Sequence, residues 1–254
     1  MKEKLQNKIA LVTGASRGIG AEIAFLLAEN GATVVLHHHQ NQSAAQKTFK
    51  RLPGSGHIIL NSDLSKPDEA KNLIHTVLST YGKIDILINN AGIYDMLDFH
   101  RSNFDDWQNH WQKNLNLNLM APVNLSYFAA IEMKKNGGGR IINISSRGAF
   151  RGEPQAPAYG AAKAALNAFS QSMAQALAND KVLVYTIAPG FVETDMSAPA
   201  LNSNQRDDFL NQSPFKRVAK PAEIAEIALF CAFDAPEFMT AAIIDVNGAS
   251  YLRT

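Results

Sequence analysis

Ser146, Tyr159 and Lys163 are the side chains in this sequence whose types and spacing could do acid–base chemistry on an oxygen. Tyr159 and Lys163 are four residues apart, so on a helix they share a face. A free tyrosine hydroxyl has a pKa near 10 and is a poor acid or base at neutral pH. An ammonium beside it favours the phenolate and lowers that pKa. Lowering it by about 3 units needs roughly 4 kcal/mol of differential stabilisation, the order that one close cation in a partly dry pocket supplies. The outcome would be a proton donor matched to working pH. A serine at the carboxyl end of a strand could hold a carbonyl oxygen toward it. Alone, a Tyr-x-x-x-Lys pair is usually a packed ring and a solvated amine, so its meaning depends on the elements that place it.

Those elements read as alternating strands and helices. Arg140–Ile144 is an apolar run that ends just before Ser145-Ser146, and the Ala-rich segment 158–178 reads as the helix carrying Tyr159 and Lys163. Upstream, the strand Ile9–Thr13 runs into Gly14-Ala15-Ser16-Arg17-Gly18-Ile19-Gly20 and then into a helix over about 18–30. Strand, glycine loop and helix put backbone N–H groups and a positive helix terminus on a phosphate. The spacing here is Gly-x-x-x-Gly-x-Gly, which departs from the common Gly-x-Gly-x-x-Gly fingerprint. Thr33–Leu36 is a second strand, 42–52 a helix, His57–Leu60 a third strand, 67–81 a helix opened by Pro67 and closed by Gly82, and Ile84–Ile88 a fourth strand leading to Asn89-Asn90-Ala91-Gly92. A long helical stretch over about 104–135, broken near Pro122, carries Asn114, Asn116 and Asn118. Asparagines in helices are usually exposed. A strand at 182–187, a helix at 221–233 and a last strand at 242–246 complete the chain. The polar segment 197–214 reads as part of a mobile lid over 191–214.

In βαβ nucleotide sites an acidic residue after the second strand holds the ribose 2′-OH and favours NAD. Here that strand ends in His37, His38, His39, Gln40 and Asn41, none acidic, and Arg17 could reach a 2′-phosphate. NADP(H) is therefore favoured, with NAD(H) as the alternative. Consecutive histidines on a strand alternate faces and chelate one ion poorly, so no metal site is expected.

The chain has 254 residues, 46% of them hydrophobic, which fits one large α/β domain. Its 24 basic and 23 acidic residues nearly cancel, so neither a nucleic-acid nor an anionic-membrane partner is expected. Cys231 is the only cysteine, which fits a reducing compartment. The polar start Met1–Lys8 is unlike a signal peptide and no apolar run is long enough to span a bilayer, so a cytoplasmic protein is expected.

Taken together, these residues resemble the short-chain dehydrogenase/reductase family over essentially the whole chain. The resemblance rests on Thr13–Gly20, Asn89–Gly92, Ser146 thirteen residues before Tyr159, Tyr159-x-x-x-Lys163 and Pro189–Thr194, all in the family's order. It implies a single-domain, Rossmann-type α/β fold with a doubly wound parallel sheet of about seven strands. It also implies hydride transfer between a nicotinamide and a carbonyl or secondary alcohol, and a homotetramer. By resemblance Tyr159 is the acid/base, Lys163 holds the nicotinamide ribose and lowers the tyrosine pKa, and Ser146, rather than its neighbour Ser145, orients the substrate oxygen. The family's catalytic asparagine fits Asn118, seven residues after Trp111, with Asn114, seven after Trp107, as its rival. Cofactor contacts are implied for Gly14, Ser16, Arg17, Gly18, Ile19, Gly20, His38, His39, Asp63, Leu64, Asn90, Ala91, Gly92, Tyr159, Lys163, Pro189, Gly190, Val192 and Thr194.

The closest textual likeness is to ketoacyl-acyl carrier protein reductases. Arginines that dock the carrier there read Ala130 and Gln175 here, so a small free carbonyl is as well supported as a carrier-bound thioester. A non-catalytic dinucleotide-binding regulator is the alternative of another class. Such a protein should lack part of the Ser–Tyr–Lys set, and this chain has all of it.

Overall fold

The computed structural model describes residues 4–204 and 206–253. Seven strands, β1 (Ile9–Val12), β2 (Thr33–His38), β3 (Ile58–Asn61), β4 (Ile86–Asn89), β5 (Gly139–Ile144), β6 (Val182–Pro189) and β7 (Ile243–Val246), form one sheet in the order β3-β2-β1-β4-β5-β6-β7. Every pairing is parallel. Both faces are covered, as all-parallel sheets require. Ala10, Val12, Val34, Leu36, Ile86 and Ile88 pack on one face with α1 (Gly18–Glu29) and, further along the chain, the helix Pro221–Leu229. Ile9, Leu11, Val35 and Leu87 pack on the other. This strict alternation along β1, β2 and β4 is the period-two geometry of a strand. The fold is the doubly wound α/β sheet expected from the sequence.

The second face is covered chiefly by α3 (Pro67–Tyr81), α5 (Ala121–Lys135) and α7 (Pro157–Leu177). The short α2 (Gln42–Phe49) lies between β2 and β3, α4 (Phe104–Leu115) precedes α5, and α6 (Gly148–Arg151) precedes α7. The helix α3 has the bounds its sequence signals imply: Pro67 at its first turn and Gly82 in the left-handed region, φ 74°, at its end. The stretch 104–135 is interrupted earlier than Pro122 suggests, by a π-helical turn at Asn116–Met120. Such turns widen a helix locally and are frequent at functional sites. The second strand runs two residues further than its apolar core, so that His37 and His38 belong to β2 and pair with Leu60 and Asn61. The segment 197–214 contains α8 (Ala198–Leu201) and α9 (Arg206–Asn211), and the chain then reaches α10, the helix Pro221–Leu229. Among the described residues no helix is long and apolar enough to cross a membrane.

Strand order reverses between β1 and β4, since β2 and β3 extend one way and β5 to β7 the other. Loops leaving the carboxyl ends of β1 and β4 therefore diverge and open a crevice, the usual ligand position in such sheets.

Candidate active site

The loop after β1 is built from glycines that cannot be replaced without collision. Gly14 has φ +61°, and a Cβ there would lie 2.9 Å from the Ala91 Cα; a Cβ on Gly20 would lie 2.5 Å from both Asn90 Nδ2 and the Gly14 carbonyl. The loop is held to the turn after β4 by Thr13 and Asn90. Thr13 Oγ1 accepts the N–H groups of Asn90 and Ala91, each at 3.0 Å, and Asn90 Nδ2 donates to the carbonyls of Thr13 and Gly14 at 2.9 and 3.1 Å. On the far side, the γ-methyl of Thr194 lies 3.2 Å from where a Gly18 Cβ would stand. Gly190 meets Asn247 closely, its N–H bonds the Val246 carbonyl at 3.0 Å, and Val192 is buried. The segments after β1, β4 and β6 thus converge on one cradle whose floor is backbone. That donor-rich, side-chain-free surface at the start of a helix fits a dinucleotide pyrophosphate.

The histidines at the end of β2 differ in their surroundings. His37 is buried; its Nδ1 accepts the Gly14 N–H at 3.2 Å while Nε2 faces the Ser62 carbonyl at 3.1 Å. An Nε2–H tautomer satisfies both contacts. Burial, countered in part by the Ser62 bond, pushes its pKa down to about 4, so the ring is neutral. His38 is also buried and His39 is exposed. Arg17 forms an ion pair with Asp195 of the post-β6 loop at 2.9 Å. Asp63 Oδ1 accepts from the N–H and hydroxyl of Ser65 at 3.1 and 2.7 Å, bonds that hold its pKa low, and Leu64 is buried beside it. Ser16 offers its carbonyl to Thr48 at 2.8 Å, and Ile19 packs against the core.

At the ends of β5 and α7, Ser146, Tyr159 and Lys163 meet. The Ser146 hydroxyl accepts the Gly148 N–H at 3.0 Å and lies close enough to the Tyr159 hydroxyl to favour its ionised form. Ser145 points elsewhere, 3.4 Å from the Lys163 carbonyl. Lys163 is buried, donates to the Ile144 carbonyl at 2.8 Å and stands 5.8 Å from the Tyr159 ring centroid. Asn118 is fully buried within the π-helical turn, contrary to the usual exposure of helical asparagine. Its Oδ1 accepts the Ile93 N–H at 3.0 Å and its Nδ2 donates to the Ile93 carbonyl at 3.1 Å. A Cβ on Gly92 would lie 2.8 Å from Asn118 Oδ1 and 3.6 Å from Lys163 Nζ, so these two groups flank Gly92. Asn114 stands one turn back and receives a hydrogen bond from Asn118 at 3.1 Å.

The electrostatics correct one expectation. Burial pushes the Tyr159 hydroxyl up to about 12; the neighbouring Ser146 hydroxyl works the other way, and Glu153 and Tyr94 add to the rise. Burial brings Lys163 itself down to about 8. Tyr159 is therefore a protonated donor throughout the neutral range. Tyr94, a residue that sequence reasoning missed, packs edge-on to Tyr159 with centroids 5.0 Å apart, and its hydroxyl is 3.5 Å from Glu153 Oε2.

Residues 8–205 match the family described as short chain dehydrogenase. The chain is 37% identical to the acetoacetyl-CoA reductase of Allochromatium vinosum over 249 residues, covering 97% of this chain and 99% of that one. It is 38% identical to the 3-oxoacyl-[acyl-carrier-protein] reductases of Chlamydia trachomatis, over 252 residues, and Vibrio cholerae, over 249, in each case covering 98% of this chain and 99% of the relative. The chain belongs to the short-chain dehydrogenase/reductase family. It is an oxidoreductase that moves hydride between a nicotinamide dinucleotide and a carbonyl or secondary alcohol.

Proposed function

We propose that this enzyme is an NADP(H)-dependent reductase of a small carbonyl compound or acyl thioester, with Asn118, Ser146, Tyr159 and Lys163 as its catalytic set. The observation that carries this reading is that Ser146, Tyr159 and buried Lys163 come together, with the Lys163 Nζ 5.8 Å from the Tyr159 ring centroid. The nicotinamide supplies the hydride that reaches the carbonyl carbon. Ser146 then holds the carbonyl oxygen by donating its O–H. Tyr159 passes its proton to that oxygen as negative charge develops, giving the alcohol. Lys163 is placed to stabilise the tyrosinate that remains, and Asn118 keeps the Ile93 backbone in line beside it. The pyrophosphate would rest on the Gly14–Gly20 backbone, with Asn90 to Gly92 and Pro189 to Thr194 closing around the nicotinamide half.

The relatives' names point to 3-oxoacyl thioesters. Carrier-protein docking is less well supported than a free substrate: Ala130 is buried in α5, Lys134 pairs with Asp180 at 3.0 Å, and Lys135 pairs with Glu132 at 2.7 Å. We also infer a homotetramer, because Phe104, Met120, Tyr127 and Ile131 expose apolar surface along α4, the π-helical turn and α5. The chain is taken as one domain over 1–254 with a substrate lid at 191–214, and a cytoplasmic location rests on the single cysteine. Oxidation of NADPH and NADH is to be measured against a panel of ketones, ketoacyl thioesters and sugars. Failure with every carbonyl would overturn the reductase reading.

A further inference from the structure

Arg147 follows Ser146 directly, yet the chemistry above makes no use of it. Its backbone N–H donates to the Pro189 carbonyl at 2.9 Å, which fixes it between the ends of β5 and β6. The side chain is 3% exposed. Its Nη1 donates to Ser250 Oγ and its Nη2 to Gln212 Oε1, while the guanidinium lies 5.2 Å from the Phe191 ring centroid. Among the described residues no carboxylate forms an ion pair with it. The nearby carboxylates are engaged elsewhere: Glu153 with Arg151 at 3.5 Å and Glu223 with Arg217 at 2.7 Å. Buried cations in proteins are normally paired. This one has only neutral acceptors, and it lines a cavity of about 80 Å³ together with Phe191, Phe209, Phe215 and Ser250, a lining that also includes the Arg217–Glu223 ion pair. Burial brings its pKa down to about 10, which leaves it charged at neutral pH.

We propose that Arg147 is the receptor for a carboxylate at the distal end of the carbonyl substrate, whose carbon chain lies against Phe191 and Phe209. The inference rests on the reading of Ser146 and Tyr159 as the site of carbonyl reduction. A guanidinium presents a planar fork that matches a carboxylate, and Gln212 and Ser250 are neutral partners that a carboxylate outcompetes. The aromatic walls suit an alkyl chain better than a hydrated phosphate. The missing counter-ion of Arg147 is then supplied by the substrate. Specificity at this end arises because a neutral ester leaves the buried cation without it.

The test uses the purified full chain and straight-chain methyl-ketone carboxylates, from levulinate through successively longer homologues, each paired with its methyl ester. At the matching chain length the acid should exceed its ester in kcat/KM by about tenfold or more, the size of a charge-assisted hydrogen bond. In Arg147→Met that ratio should collapse to about one. Because loss of a buried arginine can unfold the protein, Gln212→Glu provides a second variant: it pairs Arg147 internally, should raise the melting temperature, and should abolish the binding of hexanoate that calorimetry is expected to detect in the wild type. Equal rates for acid and ester at every length, or hexanoate binding unchanged in Gln212→Glu, would overturn the carboxylate site alone. Absence of turnover with acids and esters alike would count against the reductase reading, and hexanoate calorimetry would then still decide Arg147.

Discussion

The backbone N–H of Gly14 donates to the Nδ1 of His37 at 3.2 Å, so the glycine loop after β1 is fastened to the end of β2 by a neutral imidazole. The other ring nitrogen continues the link to Ser62 after β3. One side chain thereby sets the spacing of the first three loops on the dinucleotide side of the crevice.

Replacing His37 by Leu should weaken dinucleotide binding by about tenfold, since a part-buried N–H of Gly14 and a buried carbonyl of Ser62 both lose their partner. The same group makes stability acid-sensitive. Its folded pKa of about 4 lies below the ordinary 6.5, so the unfolded chain binds the extra proton more readily. His37 leaves stability intact above about pH 6.5, and the penalty grows as pH falls toward about 4, reaching roughly 3 kcal/mol. Urea unfolding of wild type and His37→Leu across that window should show a steeper acid loss in the wild type; parallel curves would refute the assignment.

Tyr159→Phe should lower turnover by about 10²–10⁴-fold while leaving dinucleotide affinity nearly unchanged, as removal of a general acid does. With Tyr159 protonated up to about 12, the group in the site that titrates nearest neutrality is Lys163, at about 8. The rate of carbonyl reduction is accordingly expected to decline above about pH 8 as the ammonium is lost. A rate flat to pH 10 and beyond would show that the ammonium does not matter.

Asn118→Ala should reduce kcat well beyond any change in KM, because the Ile93 backbone loses both of its bonds at the edge of the site. Asn114→Ala should have a smaller effect of the same kind, since Asn114 reaches the site only through Asn118. Gly92→Ala should resemble Asn118→Ala, the added methyl standing 2.8 Å from Asn118 Oδ1. Equal kinetic losses at positions 114 and 118 would contradict this order.

The apolar surface of α4 and α5 carries a separate expectation. Light scattering at micromolar concentration should give four times the chain mass of 27.7 kDa, and Tyr127→Glu should dissociate the assembly by placing a charge in the contact. A wild-type monomer would remove the tetramer.

Parts of this molecule were legible in the sequence because the signal is local. Pro67 and Gly82 mark both ends of α3 by backbone chemistry alone, and the glycines after Thr13 announce a turn that tolerates no side chain. Ser146 was separable from Ser145 only by its spacing to Tyr159, and the alternation of strand faces turns that spacing into geometry. The interruption at Asn116–Met120 was misplaced because Pro122 is a visible breaker, whereas a π-helical turn follows from the contact of Asn118 with Ile93, a partner distant in sequence. His37 looked like a polar strand end for the same reason: its partners Gly14 and Ser62 arrive through the sheet. The tyrosine pKa went the other way because helical spacing gives proximity of Lys163 but not the depth of burial, and burial dominates.

The proposed preference for NADP(H) rests on a pair that the sequence did not join. Arg17 and Asp195 form an ion pair at 2.9 Å with both side chains largely exposed, 58% and 68%. Exposed pairs of this kind are worth little, because water and salt screen them. Arg17 can therefore leave Asp195 for a 2′-phosphate at small cost, and the aspartate competes with that phosphate for the same guanidinium. Two opposite shifts follow. Arg17→Ala should reduce the ratio of kcat/KM for NADPH over NADH by about tenfold, the lower end of what one charge-assisted contact gives. Asp195→Asn should raise the same ratio by a few-fold, and the rise should shrink as salt is added. His39, exposed just past the end of β2, offers a further donor. A ratio near one in the wild type, or one that neither substitution moves, would show that Arg17 does not read the 2′-phosphate.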